Sequence, residues 1–299
     1  MNNPFFSIII PTYNRAHIVN ITIESVLKQS YTDWELIIVD DGSTDNTKNV
    51  VNAIQDERIH YIFQINAERS AARNNGIRNA KGKYICFLDS DDLYEENHLE
   101  TLYSNIQEKN VPIALFFVHA NHYINKQKIT PALESLENNA LLYFFTHPVI
   151  PARVCIHNEI LKKIQFDEDI VIVEDLVLWV KIAFSYPVHE IKAYTVCYAL
   201  HDDNSVNLKN NSYIIRYNGI KLFFSRYPEI KNNIPYFLRQ KVISDTLFGV
   251  ARYYNFMENY FKMVNYLILS ILYFPIHKQT KAKFHMILFP GKHRITKNN

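Results

Sequence analysis

Four short apolar runs alternate with amphipathic stretches in the first 110 residues of the chain. The runs are FSIII, ELIIV, RIHYIF and KYICFL, and the stretches that follow them span 16–29, 45–55, 68–80 and 95–109. This alternation predicts repeated βαβ units, and hence a parallel sheet with helices on both faces. Because the runs are continuous in apolar residues, we expect each strand to be buried on both sides.

A polar turn follows each of these strands. The turns are PTYNR (11–15), DDGSTD (40–45), QINAERSAARN (64–74) and DSDD (89–92). Right-handed crossovers bring the carboxyl ends of parallel strands to one edge of the sheet, where open α/β sheets bind their ligands. We therefore expect these sequence-distant polar residues to be neighbours in a binding site.

The last turn carries three acids, Asp89, Asp91 and Asp92, directly after a buried strand. One acid would be enough to cap the helix predicted over 95–109. Three acids repel one another unless a cation offsets them or their pKa values rise, and carboxylate oxygens favour Mg²⁺ or Mn²⁺. We favour a divalent metal over a helix cap. Such a cation is commonly shared with substrate phosphates, which indicates a diphosphate ligand.

Composition narrows the classes of protein that fit this pattern. The chain has six glycines and neither GxGxxG nor GxxxxGK[ST], so dehydrogenase and P-loop ATPase assignments lose their main support. Its formal net charge of +2 gives no strong field toward nucleic acid, and we expect no nucleic-acid partner. Three widely spaced cysteines form neither a disulfide framework nor a CxxC motif, which favours a reducing cytoplasm.

No membrane-crossing segment or signal peptide is predicted. The N-terminal apolar run breaks at Pro11, and the run over 264–276 is shorter than the roughly 20 residues that a spanning helix needs. After Glu258 the chain has seven Lys and Arg residues and no acid. This basic end is predicted either as a core helix with a solvated tail or, with equal weight, as a docking segment for anionic lipid.

The rest of the chain divides by pattern. Residues 111–160 are predicted as strands and loops, and a helix should begin near Glu174 with EDLVLWVKIAFSY. A strand, IKAYTVCYAL, and a polar turn, HDDNSVN, come next, and residues 213–276 are predicted to be helical.

Four of these segments resemble one known family. SIIIPTYNR, WELIIVDDGSTDNT, ARNNGIRNAKGKYICFLDSDD and VEDLVLWVKIA are similar to the inverting, metal-dependent glycosyltransferases of family 2. The resemblance is dense over 6–100, thinner over 113–206 and absent beyond about 210. It implies a GT-A fold, a mostly parallel sheet flanked by helices, with a helical C-terminal extension.

The resemblance also implies a domain division. Residues 1–208 would form the catalytic domain, with a nucleotide-binding half over 1–110 and an acceptor and catalytic half over 111–208. Residues 209–299 would form a helical region that ends in the basic amphipathic tail.

A UDP-sugar site follows from the same resemblance. Pro11 and Tyr13 match the first-strand turn, where the aromatic ring lies against the base. Asp41 matches an acid that accepts from the uracil N3–H, and Arg73 matches an arginine near the diphosphate or the aspartates. Taken alone, each has an ordinary explanation: a Pro-Thr-Tyr turn, an Asp-Gly turn, or a surface helix arginine.

The metal ligands are implied in the same way. Asp89 and Asp91 match the DxD pair, with Asp91 as the direct ligand, Asp92 close behind, and Asp89 supporting the metal or the ribose. His201 resembles a late histidine that supplies a metal nitrogen, although Leu200 stands where a basic residue is common. The implied cofactor is Mn²⁺ or Mg²⁺.

Asp175 matches the catalytic base of the family, and Glu174 would orient substrate or loop; helix N-terminal charge is the alternative for both. The implied function is inverting transfer of a hexose or N-acetylhexosamine from a UDP-sugar donor. The acceptor would be a hydroxyl of a saccharide or lipid-linked glycan, in capsule, lipopolysaccharide or related bacterial surface polysaccharide synthesis. The enzyme would work in the cytoplasm, with peripheral contact at the inner membrane face.

Two rival functions are weighed against this one. A sugar-1-phosphate nucleotidyltransferase also has aspartates around Mg²⁺, but it normally needs a glycine-rich N-terminal loop, and PTYNR has no glycine. A non-catalytic glycan-binding or scaffold protein would be expected to have lost Asp91 or Asp175, and both are present.

Overall fold

The computed structural model describes residues 3–124, 127–136, 138–199, 210–275 and 280–288. The chain divides into two compact units, residues 1–168 with 174–201, and residues 169–173 with 202–299. The predicted domain boundary at 208 lies outside the described residues.

The strands are β1 Phe6–Thr12, β2 Trp34–Asp40, β3 Ile59–Phe63, β4 Tyr84–Phe87, β5 Leu93–Tyr94, β6 Leu115–Ile124, β7 Gln127–Ile129, β8 Val154–His157 and β9 Val188–Ala199. The helices of the first unit are α1 Val19–Leu27, α2 Thr47–Asn52, α3 Glu68–Asn79, α4 His98–Glu108, α5 Ala140–Thr146, α6 Asn158–Leu161 and α7 Glu174–Ser185. The helices of the second unit are α8 Ser212–Arg226, α9 Pro228–Asn233, α10 Tyr236–Phe256, α11 Tyr260–Tyr273 and α12 Thr280–Leu288.

All the strands of the described residues join one sheet in the order β3-β2-β1-β4-β8-β6-β9-β5, with β7 paired to β6. Strands β3, β2, β1 and β4 are mutually parallel, whereas β8 is antiparallel to both β4 and β6. The chain therefore runs outward from β1 to β3 and then returns to the other side of β1 for β4. Such a reversal opens a crevice at the carboxyl ends of β1 and β4, where α/β sheets bind ligands.

The predicted βαβ units and the mostly parallel sheet are confirmed, with two corrections. Strand β3 is half exposed, and Phe63 is 56 % exposed, because β3 is the edge of the sheet and pairs with β2 alone. The apolar run 141–145, predicted within strands and loops, is helix α5 instead. Asn139 begins that helix, since its side chain accepts from the backbone N–H of Leu142 at 3.0 Å, a capping bond typical of helix N-termini.

The core of the first unit lies against the sheet on both faces. Every residue of β1, β2 and β4 is buried. On one face, Phe87 of β4 contacts Phe166 and the ring of Trp179 from α7, with ring centroids 5.4 and 6.2 Å away. Trp179 Nε1 donates to the carbonyl of Val149 at 2.8 Å, so its one polar atom is satisfied inside the core. These contacts hold the middle of α7 against the sheet.

The second unit is a helical assembly centred on the antiparallel contact of α10 with α11. Ser244 and Ser270 each donate their hydroxyl to the other's backbone carbonyl at 2.7 Å, and Lys283 Nζ donates to Ser244 Oγ at 2.8 Å. Lys283 is buried, so this residue of the basic segment is not part of the surface. No helix within the described residues combines the length and the apolar character needed to span a bilayer.

Candidate nucleotide-sugar site

The turns after β1 and β2 are tied together by side chains at the carboxyl edge of the sheet. Asn14 Oδ1 accepts from the backbone N–H groups of Thr44 at 2.8 Å and Asp45 at 3.3 Å. The N–H of Asn14 in turn donates to Ser43 Oγ at 2.8 Å. Gly42 has φ +85°, and a Cβ there would lie 2.8 Å from the backbone nitrogen of Asn66, so this position requires glycine. The two turns consequently form one rigid wall.

The neighbouring acids Asp40 and Asp41 have different surroundings. Asp40 is occupied within the fold, because its two oxygens accept from Ser43 N at 2.8 Å and from Tyr61 Oη at 2.6 Å. Asp41 is also buried, but Gln64 Nε2 and the N–H of Ala67 both donate to its Oδ1, at 2.7 and 2.9 Å. The remaining oxygen of Asp41 is suited to accept from a ligand.

Tyr13 lies at the end of β1, on the same wall as Asp41. Its side chain is 49 % exposed, whereas Pro11 is buried within the strand. A half-exposed ring beside a buried acceptor is suited to cover the face of a planar base while the acid reads the edge.

The acids after β4 differ in their access to ligand. Asp89 and Asp91 are partly exposed, whereas Asp92 is 2 % exposed, and its N–H donates to the carbonyl of Asp89 at 3.0 Å. Within the part of the chain that the structure describes, no three His, Cys, Asp or Glu side chains are gathered as a metal ligand set. The hard oxygens of Asp89 and Asp91 fit a cation that takes its other ligands from phosphate and water. His201 lies outside the described residues.

Arg73 connects the two groups of acids. Its guanidinium is buried, with Nη2 donating to Asp89 Oδ1 at 2.7 Å and Nη1 donating to Glu174 Oε1 at 3.1 Å. Burial opposes the charge of this group, but the carboxylates of Asp89 and Glu174, with a smaller effect of Asp175, raise the pKa of Arg73 above its usual range. Arg73 therefore stays charged and holds the start of α7 next to the end of β4.

Glu174 and Asp175 begin α7 and have separate surroundings. Glu174 is buried and also lies 3.8 Å from Arg69 Nε, whereas Asp175 is partly exposed. The structure thus brings Asp175 within the electrostatic reach of Arg73 and leaves its carboxylate accessible at the same sheet edge. Glu174 is thus the buried acid of the pair, bonded to Arg73, and Asp175 is the more exposed one.

Three polar residues of this site were not singled out from the sequence, namely Asn14, Gln64 and Asn66. Gln64 and Asn66 belong to the turn after β3, where they bond the side chain and the carbonyl of Asp41 at 2.7 and 2.8 Å. Their position in a polar turn at the carboxyl end of a strand is the one sequence feature that indicates a place in the site. Which residue of the turn bonds Asp41 depends on the loop conformation, which a sequence pattern does not determine.

Comparison with known proteins identifies the family of this chain. Residues 7–164 match the family described as Glycosyl transferase family 2. The Escherichia coli protein WfgD, a UDP-Glc:alpha-D-GlcNAc-diphosphoundecaprenol beta-1,3-glucosyltransferase, is 32 % identical over 215 residues, which are 72 % of this chain and 76 % of WfgD. Three further glycosyltransferase relatives match over 30–37 % of their own length.

Solved structures share the fold at low identity. The S. aureus TarS fragment 1–349 in complex with UDP-GlcNAc has a TM-score of 0.66 at 18 % identity, covering 96 % of this chain and 88 % of that one. The mannosyltransferase PcManGT from Pyrobaculum calidifontis, in complex with GDP-Man and Mn²⁺, has a TM-score of 0.59 at 16 % identity, with 96 % and 88 % covered. The predicted GT-A fold and the predicted family are both confirmed. The chain belongs to glycosyl transferase family 2.

Proposed function

We propose that this glycosyltransferase moves a hexose or N-acetylhexosamine from a UDP-sugar to a hydroxyl of a glycan, with inversion, in the synthesis of a bacterial surface polysaccharide. The observation that carries the proposal is the position of Arg73 between Asp89 and Glu174. It joins the acids of the donor side to the acids of the attacking side across one sheet edge. WfgD, a UDP-glucose-dependent relative with a lipid diphosphate acceptor, supports the donor class and a lipid-linked acceptor.

Uridine recognition rests on Asp41. The two groups that donate to Asp41 both bond Oδ1, so Oδ2 can accept from the uracil N3–H. Cytosine N3 carries no proton, so this contact would favour uridine over cytidine. Tyr13 would lie against the base. The carboxylate of Asp89, held by Arg73, would reach the ribose.

A divalent cation would be held by Asp91, and its accessibility favours it over the buried Asp92. When bound, Mn²⁺ or Mg²⁺ supplies positive charge that stabilises the departing diphosphate. His201 stays a proposed nitrogen ligand.

Asp175 would act as the base. The acceptor oxygen forms a bond to the anomeric carbon while the bond from that carbon to the phosphate oxygen breaks on the opposite face. The hydroxyl proton goes to the Asp175 carboxylate, and UDP leaves with the bonding electrons. Glu174, bound by Arg73, keeps the start of α7 in position for this transfer.

The test is a screen of nucleotide sugars for hydrolysis and transfer, with Mn²⁺ present and absent. We expect one UDP-sugar to be consumed in a cation-dependent way, and Asp175→Asn to lower turnover by about 10²–10⁴-fold while UDP binding is retained. Glu57→Gln, which removes an exposed acid, is the control and should turn over normally. Normal transfer by Asp175→Asn, or cation-independent use of every donor, would refute the assignment.

We also propose that the enzyme works at the cytoplasmic face of the membrane and docks there through α11. Phe261, Ile268 and Leu272 recur at the spacing of one helix face and are 79, 47 and 72 % exposed. After Glu258 the chain has no acid and six Lys and Arg residues besides the buried Lys283, a balance that complements an anionic lipid surface.

Flotation with phosphatidylglycerol vesicles tests this docking. Phe261→Ser combined with Leu272→Ser should abolish co-flotation, whereas Phe237→Ser, which removes an exposed ring from α10, should not change it. Equal flotation of the double variant and the wild type, or no flotation of the wild type, would contradict the proposal.

A further inference from the structure

A cavity lies in the first unit, and its lining includes neither Tyr13 nor Asp41. Its volume is about 420 Å³, within the range of roughly 300–1,000 Å³ usual for small-molecule sites. It is lined by residues of β6, α5, β9 and two connecting segments. Its polar and aromatic lining includes His119, His122, Tyr143, Arg153, Tyr194 and Tyr198.

Strand register puts this cavity at the same sheet edge as the candidate site. Strand β8 pairs antiparallel with β4 on one side and with β6 on the other, so β4 and β6 point the same way. Cys155 of β8 pairs with both Cys86 of β4 and Phe116 of β6, and because adjacent strands are about 4.8 Å apart, Phe116 lies roughly 10 Å from Cys86. His119 follows three residues later on β6 and lines the cavity. The cavity therefore opens two strands beyond Asp89.

The cavity is also linked to the helix that carries Asp175. Pro148 and Ile150 line the cavity, and the residue between them, Val149, accepts the hydrogen bond from Trp179 of α7. Helix α5, which contributes Tyr143 to the lining, packs against α7. A saccharide bound here would contact segments that pack against the helix on which Asp175 lies.

Two groups of opposite charge line the cavity, namely Glu134, whose side chain is mostly exposed, and Arg153. Arg153 Nε donates to the carbonyl of Val118 at 2.8 Å, and its Nη2 lies 3.3 Å from His119 Nδ1. Burial lowers the pKa of His119, so the neutral ring can accept from Arg153 through Nδ1 and donate through Nε2 to Glu190, 2.8 Å away. Within the described ranges no carboxylate forms an ion pair with Arg153, although Glu190 lies one histidine away.

Three tyrosines also line the cavity, beside aliphatic and imidazole side chains. Tyr143, Tyr194 and Tyr198 contribute rings, and their flat faces suit the C–H face of a pyranose. The guanidinium of Arg153 has N–H groups beyond those that bond Val118 and His119, and it lies among tyrosine rings. Such a group is suited to bind a sugar that carries an oxyanion.

We propose that this cavity is the acceptor site, and that Arg153 recognises an anionic group carried by the acceptor saccharide, either a phosphate on the sugar or a uronate carboxylate. The inference rests on the proposed function, because only a sugar transferase needs an acceptor beside its donor site. The two sources of the anion share one chemistry, an oxyanion next to a pyranose ring, and the experiment separates them.

The experiment measures saccharide binding by saturation-transfer NMR to the full chain saturated with UDP and Mg²⁺, a diamagnetic cation, which keeps phosphates out of the donor site. The probes are N-acetylglucosamine 1-phosphate and glucuronate, each compared with its neutral counterpart, N-acetylglucosamine and glucose. We expect one anionic probe to bind the wild type at least tenfold more tightly than its counterpart. The probe that does so identifies the phosphate or the carboxylate.

Arg153→Gln should erase that preference, a loss of roughly 10- to 100-fold for a charged hydrogen bond. Because Arg153 also bonds Val118, the unfolding curve of the Arg153→Gln variant is recorded to check that it folds. Arg153→Lys provides a second variant, which retains the positive charge and loses the planar, bidentate guanidinium. Arg78→Gln removes an exposed arginine of α3 and is the matched control.

Equal or undetectable binding of anionic and neutral probes, or an unchanged preference in both Arg153 variants, would overturn the proposal. UDP binding is measured in the same samples. If UDP binds and the saccharide preference is absent, only this inference fails; if UDP does not bind, the proposed function fails first.

Discussion

Replacing Arg73 tests whether this one side chain holds the two groups of acids together. Arg73→Met removes the bonds of 2.7 Å to Asp89 and 3.1 Å to Glu174 while filling much of the same volume. The side chain of Glu174 is 5 % exposed and that of Asp89 is 30 % exposed. Water can therefore solvate Asp89 in the variant, and most of the free-energy cost comes from the buried, unpaired carboxylate of Glu174. Breaking a buried pair by removing one partner costs about 3–5 kcal/mol, a large part of the roughly 5–15 kcal/mol that stabilises a typical protein.

Urea unfolding followed by tryptophan fluorescence measures this cost. If the penalty comes from the stranded Glu174 carboxylate, then Glu174→Gln in the Arg73→Met background should recover about 1–3 kcal/mol. Glu100→Gln, which neutralises an exposed acid of α4, should recover nothing in the same background. The reasoning is refuted if the Arg73 and Glu174 substitutions add to within about 0.5 kcal/mol, because contacting residues should not behave as independent sites.

Three further predictions follow from particular contacts. Gly42→Ala should cost roughly 1–3 kcal/mol in urea unfolding and weaken UDP binding, because its φ of +85° is strained for alanine and the Cβ would meet the backbone of Asn66. Burial lowers the pKa of His98 from 6.5 to about 3. The folded state therefore keeps its full stability above pH 6.5 and loses about 1.4 kcal/mol per pH unit as the pH falls toward 3, because only the unfolded chain takes up the proton. The free energy of unfolding, measured at pH 7.5 and 5, should depend less on pH in His98→Leu than in the wild type, and equal slopes would contradict this. Asp91→Asn should remove the Mn²⁺ dependence of UDP affinity in calorimetry, and retained dependence would exclude Asp91 as a ligand.

The parallel half of the fold could be predicted because its signals are local. Each of β1, β2 and β4 is a continuous apolar run followed by a polar turn, and the ends of such strands must meet at one edge. The same pattern misjudged β3, since an edge position depends on strand order. Helix α5 was missed because an apolar run of five residues fits a strand or a buried helix equally well.

The candidate site could be predicted in its residue types and less well in its contacts. Asp41 and Arg73 were identified through motifs. The bond between Arg73 and Glu174 joins residues 101 positions apart, and its existence depends on how α7 packs against the sheet. The cavity around Arg153 depends on that packing as well, since its lining comes from segments between 119 and 198 that have no shared motif.

The antiparallel strand β8 has a consequence for how such enzymes diversify. It stands between β4, which ends at the acids of the candidate site, and β6, which borders the cavity, so the proposed donor and acceptor surfaces come from consecutive stretches of chain. If the proposal holds, substitutions over 119–198 other than at Glu174 and Asp175 reshape the choice of glycan while strands β1, β2 and β4 keep their sequence. Descendants of one ancestor could build many different polymers from the same activated sugar.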